Sequence, residues 1–345
     1  MKNFLLRLFG KKPPGPPHPT PQTVAEKKLV RQDDASAVAT NIDQRTVEMA
    51  DWEPGFDLGA QFLLWLLGDQ RYVLDDDIEK TILIGLEKLR QSELAGANLI
   101  PRVPSVLPQL LKSLRDENAS GAELAQFIGK DVLLVAELIT EVNSSYYNPA
   151  SKITSLDNAI RMLGINGLRM LVARVAFRPL IQLQTGVLTK HVAPLLWEQS
   201  DKCAHACRLL AQERQLEAFH GFLAGLLKNV GLIIAFRTVD QLTHVHQLPV
   251  SAHFRQVFMN YAQTLSYRIG QQWAFPDAVL EAIANQSLPP VELNGLSLVL
   301  HQATQLSKLR MLVNDGKLRE QDTGLLAPAY QGLYRCFSAL NEHSS

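Results

Sequence analysis

From Phe56 to the C-terminus, apolar residues recur at three- and four-residue steps, and the interruptions of that rhythm are residues that start or stop helices. A chain so patterned, with no convincing pair of strands, buries its apolar stripes helix against helix. Phe56, Phe62, Leu63, Leu66 and Leu67 predict a short helix ended by Gly68. Asp75, Asp76 and Asp77 precede Ile78, Ile82, Leu86 and Leu89, so the acidic triplet suits the positive end of a helix better than a metal ion. Gly96, Asn98, Pro101 and Pro104 then break the pattern and mark a boundary. Ser120 with Glu123 makes a capping box ahead of Leu124, Phe127 and Ile128, and Asp131 caps a helix through Leu134, Leu138 and Ile139. Thr154 or Ser155 opens another through Ile160 and Leu163, which Gly164 ends, and Asn166 starts the next with Leu168, Leu171, Val172 and Val175. Short joints make successive helices neighbours, so the expected fold is an all-α, multi-helix bundle.

Residues 1–54 break this pattern. Prolines at 13, 14, 16, 17, 19 and 21 favour an extended chain, and this segment is expected to be a flexible tail. Its charges are segregated, with Lys2, Arg7, Lys11, Lys12, Lys27, Lys28 and Arg31 before Gln32 and acidic residues after it. The tail is either simply solvated, or residues 1–12 form a short basic amphipathic helix that touches an acidic membrane surface or a partner groove. The apolar run near Phe4 is too short, and too broken by Arg7, for an export signal. No transmembrane helix is expected, and the three cysteines form no disulfide framework, so a reducing cytoplasm fits. With 34 basic and 34 acidic residues the chain lacks the electrostatic footprint of a nucleic-acid binder.

The stretch from Leu99 to Leu168 carries an ordered set of residues. A proline-punctuated opening at Ile100, Pro101, Val103 and Pro104 leads to Ile128, Asp131 and Leu134, then to Asn143, Ser144, Tyr146 and Tyr147, then to Ile153, Ser155, Leu156, Ile160, Leu163 and Gly164. This resembles the HDOD family, bacterial signalling modules built on the fold of the HD-superfamily metal phosphohydrolases. The resemblance covers residues 99–290 and leaves two flanks, a helical segment at 55–98 and a helical extension at 291–345, that it does not explain. Asn143, Tyr146 and Tyr147 have two readings. Asn143 and Ser144 satisfy backbone groups at a helix end while the tyrosines fill an inter-helix corner, or the three residues line an interaction surface.

In the HD-like half, the resemblance implies a first metal-binding histidine between a tryptophan and a serine. Here Trp197, Glu198, Gln199 and Ser200 put Gln199 at that place. The adjacent His-Asp pair should lie in a glycine-framed apolar helix, yet between Gly225 and Gly231 the pair is Lys228 and Asn229. Near the position of a later histidine stand Asn285 and Gln286. An ammonium repels a divalent cation and an amide lacks the charge that would balance it, so the expected metal set is empty and no catalytic residue, metal or cofactor is expected. Cys203 and Cys207 share a helix face, but with His220 or Cys336 they make an incomplete zinc set, and His244 and His246 fit no ligand motif. The resemblance then implies a non-enzymatic regulator of bacterial signal transduction that binds a protein partner. The alternative is a sensor that holds a nucleotide or other anion in the emptied pocket through Lys228, with Arg161, Arg169 or Lys190 as further candidate cations.

Overall fold

The computed structural model describes residues 52–68, 76–91, 108, 111, 121–144, 147–184, 186–243, 248–249 and 251–341, and these are helices and turns with no strand among them. In chain order the helices are α1 (Leu58–Leu66), α2 (Asp76–Gln91), α3 (Gly121–Ile128), α4 (Val132–Val142), α5 (Leu156–Gln182), α6 (Val187–Glu213), α7 (Ala218–Leu227), α8 (Val230–Leu242), α9 (Ala252–Gln272), α10 (Asp277–Ala284), α11 (Gly295–Asn314) and α12 (Gln331–Ala339). The expected all-α bundle is what forms. Local chemistry sets several ends: Asp131 accepts from the amides of Leu133 and Leu134 at 3.1 and 3.0 Å, and Ser155 accepts from that of Asn158 at 3.3 Å. Gly164, at φ 68°, kinks α5 where the sequence expects one helix to end and another to begin. Ser120, Asp75, Tyr146, His244, His246 and residues 1–51, including the basic start at 1–12, lie outside the described residues.

Helix α6 is the axis of the bundle and packs against α5, α7, α8, α11 and α12. Its 27 residues rise about 40 Å, and from Gln199 to Cys207 every residue is buried, as a helix enclosed on all sides requires. Its N-cap is Gly186, which has no side chain to cap with, and Asp240 of α8 supplies the acceptor instead, taking the amides of Leu188 and Thr189 at 3.0 Å each. Arg237, one turn earlier on α8, reaches the carbonyls of Leu180 and Leu183 at the other end of α5. Burial lowers its guanidinium to about 10.

Two glycines let helices approach unusually closely. A Cβ on Gly225 would lie 2.4 Å from Ala204 Cα on α6, and one on Gly231 would lie 1.9 Å from the Ala262 carbonyl on α9. The glycine frame around Lys228 and Asn229 is therefore a packing requirement on both sides of the turn that joins α7 to α8. Ala218–Leu242 is long and apolar enough to cross a membrane by composition, but that turn divides it and the bundle encloses it, as befits core helices.

The flanks belong to the same body, since residues 48–345 form one compact unit. Trp65 of α1 donates to Asp315 at 2.7 Å, and Tyr261 of α9 donates to Glu87 of α2 at 2.7 Å. The tail boundary at residue 54 needs correction for the same reason. Trp52 is 3% exposed in the core and Glu53 bonds His301 at 2.7 Å, contacts that a lone aromatic among acidic residues does not announce.

Candidate functional site

The turn between α7 and α8 positions the central residues. Ser266 of α9 donates to the Lys228 carbonyl at 2.7 Å and accepts the Gly231 amide at 2.8 Å, which pins the turn at both ends. Asn229, 3% exposed, points inward at α6. Its Nδ2 donates to Gln199 Oε1 and to Ser200 Oγ, the latter at 2.9 Å, and Ser200 in turn donates to the Leu196 carbonyl at 2.7 Å. Gln199 Nε2 donates to Ser307 Oγ of α11 at 2.8 Å, and Ser307 donates to the Thr304 carbonyl at 3.0 Å. The result is a buried, directional chain of amides and hydroxyls whose hydrogen-bonding capacity is largely used within the chain.

A divalent metal does not fit these donors. The nitrogen of Asn229 is aimed into the would-be ligand position, the oxygen of Gln199 is already accepting, and the neighbouring Lys228 ammonium is repulsive. Among the described residues no group of three or more His, Cys, Asp or Glu side chains could hold a metal ion. Cys203 and Cys207 are buried on α6, with Cys203 Sγ 3.7 Å from Thr304 Oγ1.

Beside this network opens a cleft with two adjoining lobes, of about 250 and 400 Å³, which share Lys228, Asn229, Leu232, Met259, Asn260 and Lys308. Gln286 lines the smaller lobe and Gln199 the larger. Asn285 lines neither, because its amide is turned to Ser297 of α11 at 3.1 Å. Arg161, Arg169 and Lys190 do not line the cleft either. The cations that do join Lys228 are Lys308 of α11 and Arg255 of α9, which local sequence context does not distinguish from surface charges. Burial lowers the Lys228 amine below its ordinary value. Burial, then the charge of Lys228, brings Lys308 down to about 7, against the pull of Cys203 and Asp57. Lys308 Nζ also stands 5.6 Å from the centroid of the Phe62 ring, so α1 forms one wall.

Asn143 lies away from the cleft, at the end of α4. Its amide donates to the carbonyls of Ile139 and Ile153 at 2.7 Å each and accepts the Ile153 amide at 2.8 Å, clamping the loop that leads into α5. Tyr147 packs half-buried against the core. A buried charge cluster also ties this part of the chain to the axis: Arg174 of α5 grips Asp201 of α6 at 2.7 and 2.9 Å and bonds Glu141 of α4, which Arg178 also reaches at 2.9 Å.

Comparison with known proteins agrees with this architecture. An uncharacterized protein of Treponema pallidum (strain Nichols) is 22% identical over 194 residues, a match that spans 53% of this chain and 37% of that protein. Among solved structures, an HDOD domain protein of unknown function from Geobacter sulfurreducens superposes with a TM-score of 0.53 at 17% identity, covering 77% of this chain and 99% of the other. A protein from Marinobacter aquaeolei VT8, named as a candidate signal transduction protein, gives 0.53 at 21% identity, covering 80% of this chain and 68% of its own. A candidate metal-dependent phosphohydrolase from Shewanella amazonensis SB2B gives 0.52 at 21%, covering 76% and 99%. These likenesses carry the fold. The HDOD domain itself matches residues 100–289, more than half of the chain, and the protein belongs to the HDOD family.

Proposed function

We propose that this chain is a non-hydrolytic regulator of bacterial signal transduction, a helical body that works in the cytoplasm by binding a protein partner. The observation that carries the reading is the Asn229–Gln199–Ser307 chain, in which the positions expected to hold metal are bonded to one another. Hydrolysis would need a water lowered in pKa by a divalent ion, and neutral amides beside an ammonium do not hold one. The test is direct: the purified protein, given manganese, iron or magnesium, releases no phosphate from nucleotides and opens no cyclic dinucleotide. Metal-dependent turnover that disappears in Asn229→Ala would overturn the proposal. A regulator of this kind is also expected to capture its partner through the helical body alone.

A second reading is favoured by one specific observation, the meeting of Lys228 and Lys308 at the junction of the two lobes. In that reading the cleft receives an anion and holds it without cleaving it, and occupancy of the cleft is the signal.

A further inference from the structure

Lys228 and Lys308 are each half-buried, and among the described residues neither ammonium has a hydrogen bond or an ion pair with a carboxylate. Arg255 adds a third positive charge to the larger lobe. Among the described residues the one carboxylate lining the cleft is Asp57, whose Oδ1 is engaged in accepting the Ala60 amide at the start of α1. Glu53, just outside, is paired with His301. The described lining thus sets three basic groups against one carboxylate in a partly desolvated space, where like charges repel and unpaired ones are costly, and a bound anion would favour the protonated form of Lys308.

The walls differ in kind. The smaller lobe presents amides and a hydroxyl, from Gln263, Gln286, Thr304 and Gln305. The larger is faced by Phe62, Leu63, Leu66, Leu232 and Met259. Lys228 and Lys308 border both. A ligand matching this space carries two negative charges at one end and an apolar, preferably flat, body at the other. A carboxylate supplies only one charge, whereas phosphate bound through one ester link carries close to two at neutral pH. Two of the walls, α1 and α11, lie outside residues 100–289, so the site draws on the flanks as well as on the matched domain.

Resting on the second reading above, we propose that the cleft binds a phosphate monoester with a ring-bearing body, its phosphate between Lys228 and Lys308 and its ring in the lobe beneath Phe62. Phe62 then offers the ring an aromatic face, while the ammonium groups of Lys228 and Lys308 donate to the phosphate oxygens, the Nε2 hydrogens of Gln263 and Gln286 being already given to main-chain carbonyls.

The full-length protein is titrated calorimetrically with phenyl phosphate, adenosine 5′-monophosphate, adenosine and inorganic phosphate, and free phosphate is measured in the same samples. Both monoesters are expected to bind at least tenfold more tightly than adenosine or inorganic phosphate. Lys228→Met and Lys308→Met should each weaken both monoesters tenfold or more, and Phe62→Ala should weaken the monoesters while leaving inorganic phosphate unchanged. Lys308→Arg, which keeps the charge, should retain binding and serves if the methionine variant does not fold. Failure of both monoesters to bind at millimolar concentration, or equal binding by wild type and both methionine variants, overturns this inference and leaves the non-hydrolytic reading standing. Phosphate release from a bound monoester would instead overturn the non-hydrolytic reading and leave the site in place.

Discussion

Asn229 donates its amide hydrogen to Gln199 Oε1, so two side chains 30 residues apart, on a turn and on the central helix, are partners in the core. Replacing Asn229 with Ala removes a donor shared by Gln199 and Ser200, leaving two buried acceptors unpaired. The expected loss is about 1–3 kcal/mol of unfolding free energy. Urea denaturation checks it, and a loss below about 0.5 kcal/mol would mean that the network contributes little.

The close crossing of α8 and α9 predicts a larger effect from a smaller change. A methyl group on Gly231 would have to occupy the space of the Ala262 carbonyl and the Ser266 amide, both backbone atoms that no side-chain rotation can clear. Gly231→Ala is expected to cost about 3 kcal/mol. Gly55→Ala, where nothing stands within 4 Å, is the control and should be nearly neutral. The difference between the two melting temperatures measures the crossing.

Arg174 balances Glu141 and Asp201 from the middle of three helices. Arg174→Met leaves two buried carboxylates offset by Arg178 on Glu141 and by the charge of Lys202 near Asp201, and should destabilise the protein by about 3–5 kcal/mol. Adding Asp201→Leu removes one of the stranded charges and should recover part of the loss, which a double-mutant cycle would report.

Stability should also depend on pH through Lys308. Its folded value is brought down to about 7, below that of the free side chain near 10.4, so between those values the unfolded chain holds a proton that the folded one has released. Stability therefore rises with pH from about 7 upward, and the penalty is fully present below 7 where both states are protonated. Asp57, Cys203 and Lys228 act on the same group, so the informative comparison is with Lys308→Met, in which the slope of stability between pH 7 and 9 should flatten. An unchanged slope would assign it to other groups.

The sequence announces what is locally encoded. Asp131, Ser155 and Gly164 mark helix boundaries because a cap or a left-handed turn is chosen within four residues of chain. Lys228, Asn229 and Gln199 stand out because the family resemblance gives their positions a meaning. Lys308 and Arg255 do not, since each fits an ordinary amphipathic pattern and only the packing of α9 and α11 brings it to the cleft. Asp240 is hidden in the same way, as an acidic residue on one helix that caps the start of another about 50 positions earlier. Asn285 and Gln286 show the limit from the other side: adjacent in sequence and identical in polarity, both donate to Ser297, Asn285 to its hydroxyl and Gln286 to its carbonyl, yet only Gln286 borders the cleft.

The buried chain of hydrogen bonds also shapes what this protein can become. Its links run in one direction, from Asn229 through Gln199 to Ser307, so each residue's donor is matched to the next residue's acceptor. An aspartate at Asn229, introduced alone, would set a carboxylate with no donor against the Gln199 and Ser200 oxygens before any ion could offset the loss. A route to a metal-binding arrangement that begins at Asn229 therefore starts with a loss of stability, and with native proteins only about 5–15 kcal/mol from unfolding, that first step is a barrier to change.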